Sequence, residues 1–184
     1  MAWIRVVPPS EASGVVKEEY ERAVKERGAL ANIHTVTSLH PGVLAAHLDL
    51  YERIHFSEGP LTRRERELIA TVVSRRNECS YCIAHHADAF GRHSKEPGLQ
   101  ALVSTDYTKA PLSPRERALA DHATLLTHDP GGVAKEHIEK LRKVGLDDRA
   151  ILDLTLTVAY FNFANRVASG LGLTAEDVAK EYRY

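Results

Sequence analysis

The stretch ELIATVVSRRNECSYCIAHH, residues 67–86, holds both cysteines of the chain, Cys79 and Cys82, spaced C-x-x-C. His86 follows Cys82 by four residues, and Glu67 precedes Cys79 by twelve. Its first half has the period of a helix. Leu68, Ile69, Val72 and Val73 fall on one side, and Glu67, Thr71 and Ser74 share another. A second helix starts near Glu78 to Ser80 and runs to about Arg92, placing Cys79, Cys82 and His86 on one face over two turns. If the two helices fold back antiparallel, Glu67 reaches the His86 end of its neighbour. A buried carboxylate needs a partner, and an imidazole is a suitable one. Two thiols, an imidazole and a carboxylate are the parts of a thiol redox site and equally of a metal site.

Working outward, the same helical signals recur. Upstream, Leu61-Thr62-Arg63-Arg64-Glu65 is a capping box, with Thr62 as cap and Glu65 reaching back. A helix from near Ser13 to Arg27 has Val16, Tyr20, Ala23 and Val24 as its apolar face and Gly28 as its stop. Pro41 opens another, with Val43, Leu44, His47, Leu48 and Tyr51 on one side. Downstream, Gly91 and Pro97-Gly98 end the cysteine unit, and a short helix covers Gly98 to Val103. Leu112-Ser113-Pro114-Arg115-Glu116 repeats the capping box, and its helix ends before Asp129. Val133 to Val144, Leu146 to about Ser169, and a last short helix capped at Thr174 complete the series. Strand signals are absent. The expectation is an all-α chain of eight or more helices.

A weak internal repeat runs through it. LTRRERELIA resembles LSPRERALAD, and CSYCIAHHADAFG can be laid over YFNFANRVASGLG, pairing Ala87 with Ala168 and Gly91 with Gly172. The second copy lacks both thiols and the histidine. The expected organisation is a single domain over 1–184: N-terminal helices to 60, a cysteine-bearing unit over 61–110, and a degenerate second unit over 111–184.

Composition narrows the function. The 184 residues carry a net charge of −1, from 24 basic and 25 acidic groups, with no long like-charge block. That excludes an obvious nucleic-acid surface or polybasic membrane anchor. Two cysteines are too few for a disulfide scaffold. No signal peptide is visible, and the longest charge-free apolar stretch falls short of the roughly 20 residues of a membrane helix. A cytoplasmic location follows as the default.

Cys79, near a helix N-terminus, faces unpaired amides that favour a thiolate. A free thiol near pKa ~8.5 is only a few per cent ionised at pH 7, so activation gains at most about 1.5 orders of magnitude in nucleophile. A Glu–His pair near the thiol can accept its proton. Zinc on Cys79, Cys82 and His86 with a water is the minor reading, because i, i+3, i+7 on one helix is not a usual tetrahedral spacing. Haem attachment is excluded by Ile83 after Cys82. No metal and no cofactor are expected.

Glu, eleven residues, C-x-x-C, three residues, His: this pattern closely resembles the alkylhydroperoxidase D-like family of the carboxymuconolactone decarboxylase superfamily. The chain length, the L-T-x-x-E helix start and the degenerate second half resemble its peroxidase-related branch. The resemblance implies an all-helical fold, a homo-oligomer (dimer, trimer or hexamer) and a thiol peroxidase site, fed by a hydroperoxide and a thiol or dithiol reductant. It also implies roles. Cys82 is attacked by the peroxide and becomes the sulfenic acid, Cys79 resolves it to the disulfide, and Glu67 and His86 form the relay that activates Cys82. The helix-dipole argument alone favours Cys79 as the low-pKa thiol. One departure stands out: Tyr81 occupies the position before the second cysteine, where such peroxidases often carry histidine. Tyrosine donates a hydrogen bond but does not titrate near neutral pH. Two other readings compete, a carboxymuconolactone-decarboxylase-like enzyme and a helical, oligomeric interaction protein with an inactive thiol pair.

Elsewhere, His85 points about 100° from His86 and is expected to be structural or surface. His34, His47 and His122 are expected in core or interface positions. Asn162, Asn165 and Arg166 interrupt an apolar stretch and should have partners, at the site or at an oligomer interface. The charged run from Arg63 is expected to be a solvated first turn, Glu67 excepted.

Overall fold

The computed structural model describes residues 2–176; among them all regular structure is helical and no strand occurs. In order the helices are α1 (Gly14–Arg27), α2 (Asn32–Thr35), α3 (Pro41–His55), α4 (Arg63–Arg76), α5 (Ser80–Ser94), α6 (Leu99–Asp106), α7 (Pro114–His128), α8 (Lys135–Lys143) and α9 (Asp148–Gly170). α4 is the axis: α5, α6, α7 and α9 all pack on it, while α3 packs on α1 and α9.

The boundaries follow local chemistry. Both capping boxes form, at Thr62–Glu65 and Ser113–Glu116, and the Asp147 side chain accepts from the Ala150 amide. Gly28 closes α1 in the left-handed region at φ 84°, where a side chain would be strained. Three expectations are corrected. α5 continues through Gly91 to Ser94; there a Cβ would lie 3.3 Å from the Gln100 side chain, so this glycine serves close packing of α6 rather than termination. Val24 and Val43 are exposed rather than on the buried faces of α1 and α3. The first turn of α4 is not solvated: Glu65 and Arg66 are buried, and every residue from Glu65 to Ser74 is covered. The helix capped at Thr174 lies outside the described residues.

Charge can be buried at the start of α4 because the repeat supplies the opposite charge. Glu65 Oε2 accepts from the Thr62 amide at 2.8 Å, and its Oε1 accepts from Arg115 Nε–H at 2.6 Å. Glu116 Oε2 accepts from the Ser113 amide at 3.0 Å, and its Oε1 accepts from Arg64 Nε–H at 2.7 Å. Each capping glutamate therefore holds the other unit's arginine, the self-complementary pattern of a local two-fold. The two copies of the sequence repeat meet here, α4 against α7. The later glycine pairing of the repeat is looser. Gly91 is mid-helix, whereas Gly172 lies past α9 with φ 65°.

Candidate functional site

The α4–α5 hairpin turns in three residues. Asn77 ends α4, Glu78 takes the left-handed region at φ 55°, and the Cys79 amide donates to the Ser74 carbonyl at 3.0 Å. The Asn77 side-chain amide donates to Asn162 and Asn165 of α9, each at 3.0 Å, and Asn165 donates to Ser74 Oγ at 3.2 Å. The asparagines inside the apolar helix thus clamp the turn that carries Cys79, and this secures a strained backbone residue.

Cys79 is the N-cap of α5, and its sulfur accepts from the Cys82 amide at 3.4 Å. Cys79 and Cys82 are joined as a disulfide with their Cα atoms 5.3 Å apart, within the ordinary range. Both are buried, in a small apolar cluster with Val36, Tyr81, Ala168 and Leu173.

Glu67 is fully buried and bonded on both oxygens. His86 Nδ1–H donates to Oε2 at 2.8 Å, as the antiparallel hairpin requires. His55 Nε2–H donates to Oε1 at 3.0 Å. Arg63 Nη2 lies 2.6 Å from the same Oε1, an ion pair by distance whose angle is not that of a hydrogen bond. Burial by itself would raise the Glu67 carboxyl, but the electrostatic pull and hydrogen bonds of the His55 and His86 imidazoles hold it well below the usual carboxylate range. An ionised carboxylate only accepts, so the His86 proton facing Glu67 is on Nδ1, and Nε2 is the ring nitrogen turned away from the carboxylate. Burial, against the pull of Glu67, lowers His55 to about 4, so it is a neutral donor at pH 7. The sequence offered no signal for His55 or Arg63. One sits in the last turn of α3 and the other in a charged run, and only the packing of α3 on the start of α4 unites them with Glu67.

Next to this cluster is a cavity of about 50 Å³, lined by Cys82, His86, His34, His85 and seven aromatic or aliphatic side chains including Tyr51, Tyr160 and Phe161. Its size suits a few waters or one small polar group with its apolar tail outside. Cys82 lines it; Cys79 does not. His85, expected to be structural or surface, is buried at this wall, and its Nε2–H donates to Glu176 Oε2 at 2.8 Å. The Tyr81 hydroxyl donates to Glu176 Oε1 at 3.1 Å and accepts from the Ile33 amide at 3.2 Å. The Asn32 amide also donates to Glu176. His34, His47 and His122 are buried as expected, with His47 Nε2 2.7 Å from the Tyr160 hydroxyl.

Among the described residues, the donor set that could approach a cation differs from that of the minor zinc reading on Cys79, Cys82 and His86. It is His55, Glu67 and His86, whose ligand atoms lie within 4.8 Å of one another. The Glu67 oxygens already accept from two imidazoles, and the Arg63 guanidinium lies at 2.6 Å. That arrangement suits a hydrogen-bonded carboxylate better than a metal site. Among the described residues no helix is long and apolar enough to cross a membrane.

Known proteins resemble this chain in sequence and in fold. The profile of the family described as PA26 p53-induced protein (sestrin) matches residues 5–177. Mouse Sestrin-3 is 32% identical over 170 residues, which cover 90% of this chain and 32% of that protein. The chain thus spans about a third of the length of the curated relatives it matches. Among solved structures, the alkylhydroperoxidase AhpD core, an uncharacterized peroxidase-related protein from Ralstonia eutropha JMP134, superposes with a TM-score of 0.90 at 25% identity, covering 97% of this chain and 94% of that one. An uncharacterized peroxidase-related protein from Silicibacter sp. TM1040 gives 0.87 at 28% identity, with 96% and 92% covered.

Proposed function

The chain belongs to the PA26 p53-induced protein (sestrin) family, with the fold of the alkylhydroperoxidase D-like, peroxidase-related proteins, and from that premise we propose that it is a thiol-dependent peroxidase. In this reading the reduced pair turns over a hydroperoxide. His86 Nε2 accepts the Cys82 thiol proton, and Glu67 stabilises the imidazolium that forms. The Cys82 thiolate attacks the terminal peroxide oxygen; the S–O bond forms as the O–O bond breaks. The alkoxide leaves and takes the proton from His86, giving an alcohol. The Cys79 thiol then attacks the Cys82 sulfenic acid, closing the disulfide and releasing water. The dithiol loses two electrons and the hydroperoxide gains two. A thiol or dithiol reductant must return them.

The observation that carries the reading is the pairing of a cavity-lining Cys82 with a Cys79 that caps its helix, beside a His86 held through Nδ1 by Glu67. It also favours Cys82 over Cys79 as the attacked thiol, since only Cys82 lines the cavity. Tyr81 in place of the usual histidine is tied to Glu176, so it supports the wall of the site rather than titrating in it. Assembly into a homo-oligomer in a reducing, cytoplasmic compartment belongs to the same proposal.

The test is a thiol titration. Two thiols should disappear per equivalent of an organic hydroperoxide added to the reduced protein. Cys82→Ser should abolish the reaction, and Glu67→Gln should slow it by about 10²-fold. Unchanged thiols, or variants that react like the parent, would sink the peroxidase reading and favour an inactive thiol pair.

A further inference from the structure

We propose that His55 is a positioning residue for the thiol chemistry: it holds one oxygen of Glu67 so that the other is presented to His86. The proposal rests on the reading that Glu67 and His86 serve Cys82.

Glu67 is shared among two imidazole donors and one guanidinium ion-pair partner, and its usefulness depends on how it is divided. His55 makes two contacts that decide this. Its Nε2–H holds Oε1 at 3.0 Å, and its backbone carbonyl accepts from Arg63 Nη1 at 2.8 Å. The second contact keeps the guanidinium facing α3, so Arg63 neutralises Oε1 at 2.6 Å without the aligned hydrogen bond of a fork. Without the His55 ring, only Arg63 faces Oε1. The residue-55 carbonyl still holds Arg63 in place, so it is the released carboxylate that turns both oxygens towards the guanidinium, and that would draw Oε2 off His86.

The charge of the holding group matters as much as its position. The groups facing Glu67 are His55 and Tyr51 from α3, Arg63 from its own helix, and His86 and, further along, His93 from α5. α9 contributes Phe161, whose ring packs edge-on against His55 at 5.0 Å and His86 at 4.5 Å and carries no charge. The rings of His55 and His86 are 5.7 Å apart. A cation at position 55 would oppose the proton that His86 must take from Cys82. A neutral imidazole supplies the hydrogen bond without that charge. The His55 Nδ1 atom has no hydrogen-bond partner and is buried, as suits the tautomer with its proton on Nε2.

The experiment follows the iodoacetamide alkylation rate of Cys82 against pH in the reduced protein, read by mass spectrometry of the Cys82 peptide. His55→Phe should move the half-maximal pH upward by about one unit, and His55→Gln, which keeps an N–H donor, should restore the parent profile. A Phe variant that follows the parent, or a Gln variant displaced as far as Phe, would overturn the proposal. A measurement on the parent protein decides the matter if the Phe variant does not fold. The two-bond ¹H–¹⁵N spectrum should report the Nε2–H tautomer of His55, unchanged between pH 8 and 5.5; an Nδ1–H tautomer, or a ring that titrates in that range, overturns it. Alkylation needs no peroxide. A protein that alkylates as expected but ignores hydroperoxides therefore sinks the peroxidase reading and leaves this one standing.

Discussion

Acidification should destabilise this protein well before its carboxylates titrate. Three buried histidines are held neutral. Burial lowers His34 to about 3 and His47 and His55 to about 4. In the unfolded chain each returns to about 6.5. A group with a depressed native value takes its proton only on unfolding, so its contribution is complete above pH 6.5 and is lost as pH falls towards 4. At pH 5 each histidine costs about 2 kcal/mol relative to pH 7, so the three together remove about 6 kcal/mol. Total stabilities of domains are about 5–15 kcal/mol, so this is a large share. Glu67 acts in the same direction, but only below its unfolded value of 4.5, which separates the two windows. The assay is urea unfolding at closely spaced pH values from 8 to 5. Between pH 6 and 5 the slope of unfolding free energy should correspond to uptake of about three protons, or about 4 kcal/mol per pH unit. His47→Gln should reduce that uptake by about one proton. An uptake below about one proton in the parent would refute the claim that these imidazoles are neutral and desolvated in the native state.

Two further outcomes test the frame around the site. Asn165→Ala removes the partner of Asn77 and Ser74 in a buried position, and should cost about 2 kcal/mol in urea unfolding; because it loosens the Cys79 turn, dithiothreitol should also reduce the disulfide faster, and an unchanged reduction rate would show that the clamp does not reach the thiols. Arg115→Ala and Arg64→Ala should each cost about 1–2 kcal/mol, since each leaves a partly buried capping glutamate short of its cation; a pair of costs near zero would mean that the reciprocal clasp is only a surface contact.

Much of the fold was legible because its signals are local. Thr62 and Glu65, Ser113 and Glu116, and Gly28 act within a turn of their own helix. The C-x-x-C spacing with His86 places three groups on one face wherever that helix lies. A short Asn77–Cys79 turn makes the following helix antiparallel, so Glu67 meeting His86 was also within reach of the sequence. What failed were inferences about exposure. The charged opening of α4 reads as solvated, yet it is buried because Arg115, Glu116 and Asp153, from distant segments, supply the opposite charges.

The sequence by itself determined the helices, the hairpin and the shared face of Cys79, Cys82 and His86, since these depend on backbone geometry over a few residues. Only the tertiary structure decided who else touches that face. His55 reaches Glu67 because α3 ends against the start of α4; His85 joins the cavity wall because Glu176 returns to bond it; and Cys82, not Cys79, lines the space beside His86. Those contacts depend on which helices share the core. A short-range pattern cannot encode them, because the desolvation that gives a buried charge its partner is a property of the packed molecule as a whole.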